Sequence, residues 1–292
     1  MKLNLDSPPP VGINVDLWRQ GEVADAAVGD LWLLSWDAEA LALGVIAGVG
    51  DGYVLVWPVT LPAEAAFRPA VQVSKSPLGI PVFMWASRET GVGLHMLHRR
   101  FGALLAESVM ADVAEAMEEG TVGPLPYAPT PLHPAHLSTD DETMIDQWEA
   151  ICLNVWPRSR PDWAPLNRDV LRSLGFRPSD IAGALDIGAS EAVALFNGER
   201  TPSDAQLAAL ESHLRAPQSQ LLDPLVDESA RELLSPAWKD AVLKIAAYLG
   251  DNEGAARDMA RQEYAYAPRS TGTKSDRMRE AIQRVLARLS EE

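Results

Sequence analysis

The sequence predicts an α+β multidomain protein, with a small N-terminal β-barrel and its closing helix ahead of an all-α C-terminal region. Three observations carry this. Residues 28–102 hold about six short runs rich in apolar, β-branched and aromatic residues, joined by brief turns and uninterrupted by a long helix. Residues 104–119 change to helical period. From Asn167 onward the pattern is helical to the end of the 292 residues, a length that suits two or three domains.

The first three strands are "DLWLLSW" (30–36), "LALGVIAG" (41–48) and "YVLVWPVT" (53–60), with Gly50-Asp51-Gly52 as the turn between the second and third. "AVQVS" (70–74), "PVFMWA" (81–86) and "LHMLHRRFG" (94–102) complete the barrel. In "LLAESVMADVAEAMEE", Leu104, Leu105, Val109, Val113 and Met117 form one apolar face, and Gly120 supplies the stop. Five prolines between Thr121 and Asp141 predict an extended spacer. Thr139 then opens a helix with capping-box spacing to Glu142, and Ile145, Trp148, Cys152, Val155 and Trp156 give it an apolar stripe. Ser235-Pro236 starts a further helix, another spans roughly residues 252–264, and "STGTKS" (270–275) breaks the pattern. The last helix carries Met278, Ile282, Val285, Leu286 and Leu289 on one face. The expected domains are a barrel at 1–122, a proline-rich linker at 123–140, a helical domain at 141–216 and a C-terminal helical region at 217–292.

Composition narrows the classes. No apolar run reaches membrane-spanning length and "MKLNLDSPPPVGINVD" has no signal-peptide core, so a cytoplasmic protein without membrane contact is expected. The single cysteine, Cys152, fits a reducing compartment and reads as a packing residue. The net charge of −16 disfavours nucleic acid unless cations cluster. They do so only at 269–288, where six Lys and Arg face Asp276 and Glu280. Of the nine tryptophans, Trp32, Trp36, Trp57 and Trp85 are expected in the strand core, and Trp148, Trp156 and Trp163 in the helical part.

In "VLRSLGFRPSDIAGALDIGASEAVALFNGERTPSDAQLAALESHL" two short helices meet at a tight turn. Ile181, Ala182 and Leu185 form the inner face of the first, Ile187 plugs the turn, and Ala192 and Leu195 face inward from the second. Asn197-Gly198 ends that helix, and Pro202-Ser203 starts one whose Leu207, Leu210 and Leu214 close the bundle. Over about 171–214 this resembles the helix-turn-helix of the Xre/Cro family, in which the second helix lies in the DNA major groove. The resemblance implies DNA as a partner. It departs from the family at the reading positions, where Pro178 replaces a common Gln and the second helix offers Ala189, Ser190, Glu191, Val193 and Ala194. Ser190, Glu191 and Val193 are the candidate base contacts, and Arg177 and Arg200 the flanking phosphate contacts. Lys274, Arg277, Arg284 and Arg288 of the last helix are further phosphate candidates.

"GDLWLLSW", a middle strand ending Pro58-Val59-Thr60, and "LHMLHRRFGALLAESVMADVAEAM" together resemble the MazF/PemK toxin family, an SH3-like barrel, over about 28–120. The resemblance implies metal-independent cleavage of single-stranded RNA by an Arg ahead of the second strand and a hydroxyl ending the third. Thr60 takes the hydroxyl position, but the Arg position falls near Leu41, and residues 37–43 hold two acids and no base. A rearranged site of Thr60, His98 and Arg100 is the alternative, with alternation placing His98 and Arg100 on one strand face and Arg99 on the other. His133 and His136 make a weak H-x-x-H pair, "GVGDG" (48–52) reads as a turn, and no cofactor or metal is expected. The leading expectation is a dimeric DNA-binding regulator of toxin–antitoxin type, with a degenerate barrel used for partner binding or dimerisation. An RNA endonuclease and a protein-interaction scaffold are the alternatives.

Overall fold

The computed structural model describes residues 3–22, 24–129, 135–157, 164–222, 224–266 and 272–291. The chain is α+β, with an N-terminal curled antiparallel sheet followed by a helical region. It divides into two compact units, Met1–Trp156 with Leu234–Ala247, and Pro157–Leu233 with Tyr248–Glu292. These boundaries differ from the expected ones, because the segment at 141–156 and the later return at Leu234–Ala247 both join the sheet.

The first unit begins with β1 (Leu3–Asn4) and α1 (Val15–Gln20), which Asn14 caps through its side chain to Asp16 N and Leu17 N. The sheet continues with β2 (Asp30–Trp36), β3 (Glu39–Val49), β4 (Tyr53–Thr60), β5 (Val71–Val73), β6 (Val82–Met84), β7 (Thr90–Gly93) and β8 (Leu97–Ala103). Its order is β5-β6-β4-β3-β2-β8, with β1 added to β3 and β7 to β4. The strand expected at 94–102 opens instead with a 3-10 turn at Leu94–Met96, so only its part from Leu97 is strand, and β7 is a further short strand ahead of it. β7 pairs with the first half of β4, while β8 crosses to β2.

Successive residues serve opposite faces, as a pleated strand requires. Leu31, Leu33, Val45, Trp57 and Val59 enter one core, joined by Met110 and Val113 of α2 (Glu107–Glu119). Trp32, Leu34, Ile46, Val54 and Val56 enter the other, joined by Met144, Trp148 and Ile151 of α3 (Ala135–Cys152). Both faces are covered, which is why these strands read as continuous apolar runs. α2 ends at Gly120 in the left-handed region (φ 66°). α3 starts four residues before Thr139, and its Trp148 packs on the sheet rather than among the later helices. The proline-rich stretch docks too: Gln72 N donates to Pro126 O and Ala128 N to Ala70 O, adding a rung beside β5.

In the second unit, α4 (Arg168–Ser173), α5 (Pro178–Leu185), α6 (Ala189–Asn197), α7 (Asp204–Leu214) and α8 (Gln218–Leu221) share a core of Leu171, Ile181, Ala192, Leu195, Leu207 and Leu210. Gly198 (φ 74°) stops α6, and Ser203 caps α7 by accepting from Gln206 N at 3.2 Å. α9 (Pro224–Leu233) ends this stretch. α10 (Lys239–Leu249) lies in the first unit up to Ala247. α11 (Glu253–Tyr266) and α12 (Lys274–Glu291) then pack with α9. Met278, Ile282 and Val285 of α12 are buried as expected. Residues 130–134 and 158–163, with His133 and Trp163, lie outside the described residues.

Candidate functional site

Thr60 ends β4 at 8% exposure, and both sides of its hydroxyl are occupied. Its Oγ1 accepts from Trp85 Nε1 at 3.0 Å and donates to Ala65 O. α3 covers the same place. Gln147 donates through Nε2 to Leu41 O, and Met144, Gln147 and Trp148 line a cavity of about 180 Å³ that also touches Thr60. The carboxylates of Glu64 and Asp140 line it as well. The two positions that the toxin resemblance assigns to catalysis thus lie beneath one of the chain's own helices, in acidic surroundings.

His98 and Arg100 do not join Thr60. β8 is bulged against β2 on either side of the Arg99 and Arg100 pairs, so simple alternation fails along this strand. His98 is buried, with Nδ1 3.1 Å from Ser35 Oγ and Nε2 2.9 Å from Asp240 Oδ1. Burial lowers the imidazole pKa, although the Asp240 hydrogen bond opposes it. In the neutral ring Nε2–H donates to Asp240 and the Ser35 hydroxyl donates to Nδ1. The hydrogen bond from His98 in turn holds the Asp240 carboxyl below the usual range. Lys239 is buried beside this line, and its ammonium donates to Ser35 O at 2.8 Å and His95 O at 3.1 Å.

This serine, histidine and aspartate follow one another as in a nucleophile relay, but Ser35 is fully buried, with no exposed surface for a nucleophile to use. The set tethers α10 to the sheet. The sequence carries a faint signal for it, since Ser35 is the one polar residue in the run "LWLLSW".

Arg100 turns to other partners. Its Nε and Nη2 donate to Asp30 at 2.7 and 2.8 Å, and Nη1 donates to Glu22 at 2.6 Å. The bidentate Asp30 contact raises the guanidinium pKa above its ordinary value. The cation is spent on two carboxylates.

In the second unit, the outward side of α6 presents Ala189, Ser190 and Val193 to solvent. Glu191 is paired with Arg200 at 3.1 Å. Arg177 is exposed ahead of α5, its backbone N donating to Asp180 Oδ2 at 2.7 Å. On α12, Lys274 and Arg277 both reach Glu228 at 3.2 Å. Glu228 is desolvated, which pushes its pKa up, but hydrogen bonds from Tyr264 and Lys274 outweigh this and lower it. Arg284 meets Glu263 at 2.8 Å, and Arg288 meets it at 3.4 Å. Each predicted phosphate contact on α12 is therefore matched by an acid of α9 or α11.

Among the described residues no cluster of His, Cys, Asp and Glu is placed to hold a metal ion. No described helix is long and apolar enough to cross a membrane. No family model matches the chain, and no curated protein or solved structure matches it either.

Proposed function

We propose that this protein is a non-catalytic regulator that works through protein contacts. In this reading the MazF-like barrel has lost RNA cleavage, and the Xre-like bundle uses the helix-turn-helix frame as an interaction module. The observation that carries it is the pairing of cations: Arg100, Arg200, Lys274, Arg277, Arg284 and Arg288 each sit on a carboxylate of the same unit. Nucleic-acid affinity comes chiefly from Lys and Arg that neutralise phosphates and release counterions. Here those charges are already balanced within an acidic chain. The seat of α3 over Thr60 supports the loss of cleavage.

The test combines three arms at low salt. The purified protein is expected to shift no fragment of its own upstream DNA, to leave a mixed single-stranded RNA pool intact, and to retain protein partners after nuclease treatment. A specific DNA shift, or RNA cleavage abolished by Thr60→Ala with Arg100→Ala, overturns the proposal.

A DNA-binding regulator is the second reading, favoured by one observation. α6 buries Ala192, Leu195 and Phe196 while exposing Ser190 and Val193 on its outward side, and Arg177 ahead of α5 is exposed as well. In this reading Arg177→Ala lowers affinity uniformly across DNA sequences.

A further inference from the structure

In the first unit, α3 and strands β4 and β7 bound a groove of about 440 Å³, within the size range of ligand pockets. Its lining is largely apolar, from Pro58, Met144, Ile145, Trp148 and Leu153. Ile145 is 38% exposed and Leu153 75%, so apolar surface continues out of the groove. Three polar side chains of its wall, Arg88, Glu89 and Thr90, already have partners. Glu89 accepts from Trp57 Nε1 at 3.0 Å, Arg88 pairs with Asp141, and Thr90 Oγ1 lies 3.0 Å from Cys152 Sγ. An occupant therefore gains by burying apolar surface there.

The rim has one sign of charge. Glu149 lines the groove and Asp146 follows Ile145, both exposed. Residues 139–152 of α3 carry five acids and no Lys or Arg. The one cation in the lining, Arg88, is held by Asp141. Such a rim repels phosphates, whether of nucleic acid or of anionic lipid, and attracts Lys and Arg.

We infer that this groove docks a basic amphipathic segment of a partner protein, with apolar anchors in the groove and Lys or Arg against Glu149 and Asp146. The mode is that of an apolar segment face laid into a groove, with register set by charge. The inference rests on the protein-binding reading above and gives that reading a surface.

A random-peptide display library selected on the intact chain tests it. The enriched peptides are expected to join large apolar residues to Lys or Arg and to bind more weakly as salt rises. Ile145→Ser and Glu149→Lys should each weaken them about tenfold, because anchor burial and charge attraction are lost separately. Both side chains are exposed, so an unchanged thermal midpoint verifies that the variants fold; Leu153→Ser is the substitute if either does not. Enrichment of acidic peptides, or binding that none of these variants weakens, overturns the inference. If no peptide is enriched while nuclease-resistant capture persists in wild type and variants alike, the groove assignment fails and the protein-binding reading stands. Loss of all such capture overturns that reading itself.

Discussion

Glu191 holds Arg200 at 3.1 Å beside the outward face of α6, so a candidate base contact and a candidate phosphate contact spend their charges on each other. The pair is partly exposed, and its own stabilising effect is small, about 0–1 kcal/mol. In the DNA-binding reading its effect is larger, because it removes one cation from a face that has few.

Glu191→Gln should therefore strengthen non-specific DNA binding from a weak baseline. The slope of log affinity against log salt should steepen by about one, the contribution of one freed phosphate contact. Fluorescence anisotropy of a labelled duplex over a salt series reads both quantities. An unchanged slope would show that Arg200 is not within reach of DNA in either form.

His98 makes the first unit sensitive to acid. Its pKa is lowered by burial, so between the folded and unfolded values the unfolded chain binds more protons. Stability from this group is complete above the ordinary imidazole value of about 6.5 and is lost as pH falls below it. Asp240, also lowered, extends the loss to the carboxylate range at lower pH. Thermal melts from pH 7.5 down to about 5 should show a falling midpoint for the wild type. His98→Gln should start lower and change less across that interval. Equal slopes for the two proteins would remove His98 as the cause.

What the sequence makes legible is local. The positions of Asp30–Trp36 and Tyr53–Thr60 follow from β-rich runs between turns, and Ile181, Ala192, Leu195 and Leu207 follow from helical period. Partners are not local. The stripe through Ile145, Trp148 and Cys152 states that a face needs covering but not that a sheet will cover it. Leu234–Ala247 returns to the first unit through Lys239 and Asp240, which meet Ser35 and His98 some 140 to 200 positions away in the chain. Nothing in a run such as "SPAWKD" encodes that distance. The bulges of β8 hide the site in another way, since they break the alternation from which the faces of His98 and Arg100 are read.

Thr60→Val separates the catalytic reading of this residue from a structural one. The substitution keeps the shape and removes the hydroxyl, leaving the buried Trp85 Nε1 without its Thr60 acceptor. A buried donor so orphaned costs about 1–3 kcal/mol. Urea unfolding of the first unit should show this loss, and the RNA pool should stay uncleaved in both proteins. A variant as stable as wild type would mean that the hydroxyl does not hold Trp85 in solution.

The second unit is held by an ion pair with no exposure at either side chain. Arg257 donates to Glu253 Oε1 through Nε at 2.9 Å and Nη2 at 2.7 Å, while Nη1 donates to Leu233 O. Burial lowers the guanidinium pKa, and the Glu253 carboxylate opposes that shift. Removing one partner strands the other, so Glu253→Leu should cost about 3–5 kcal/mol. The double variant Glu253→Leu with Arg257→Met removes both charges and keeps much of the volume. It should recover most of that loss, since a buried pair is often no more stabilising than apolar side chains of similar size. Denaturant unfolding of wild type, both single variants and the double variant gives the coupling directly. Additive losses would show that the two side chains do not act as a pair.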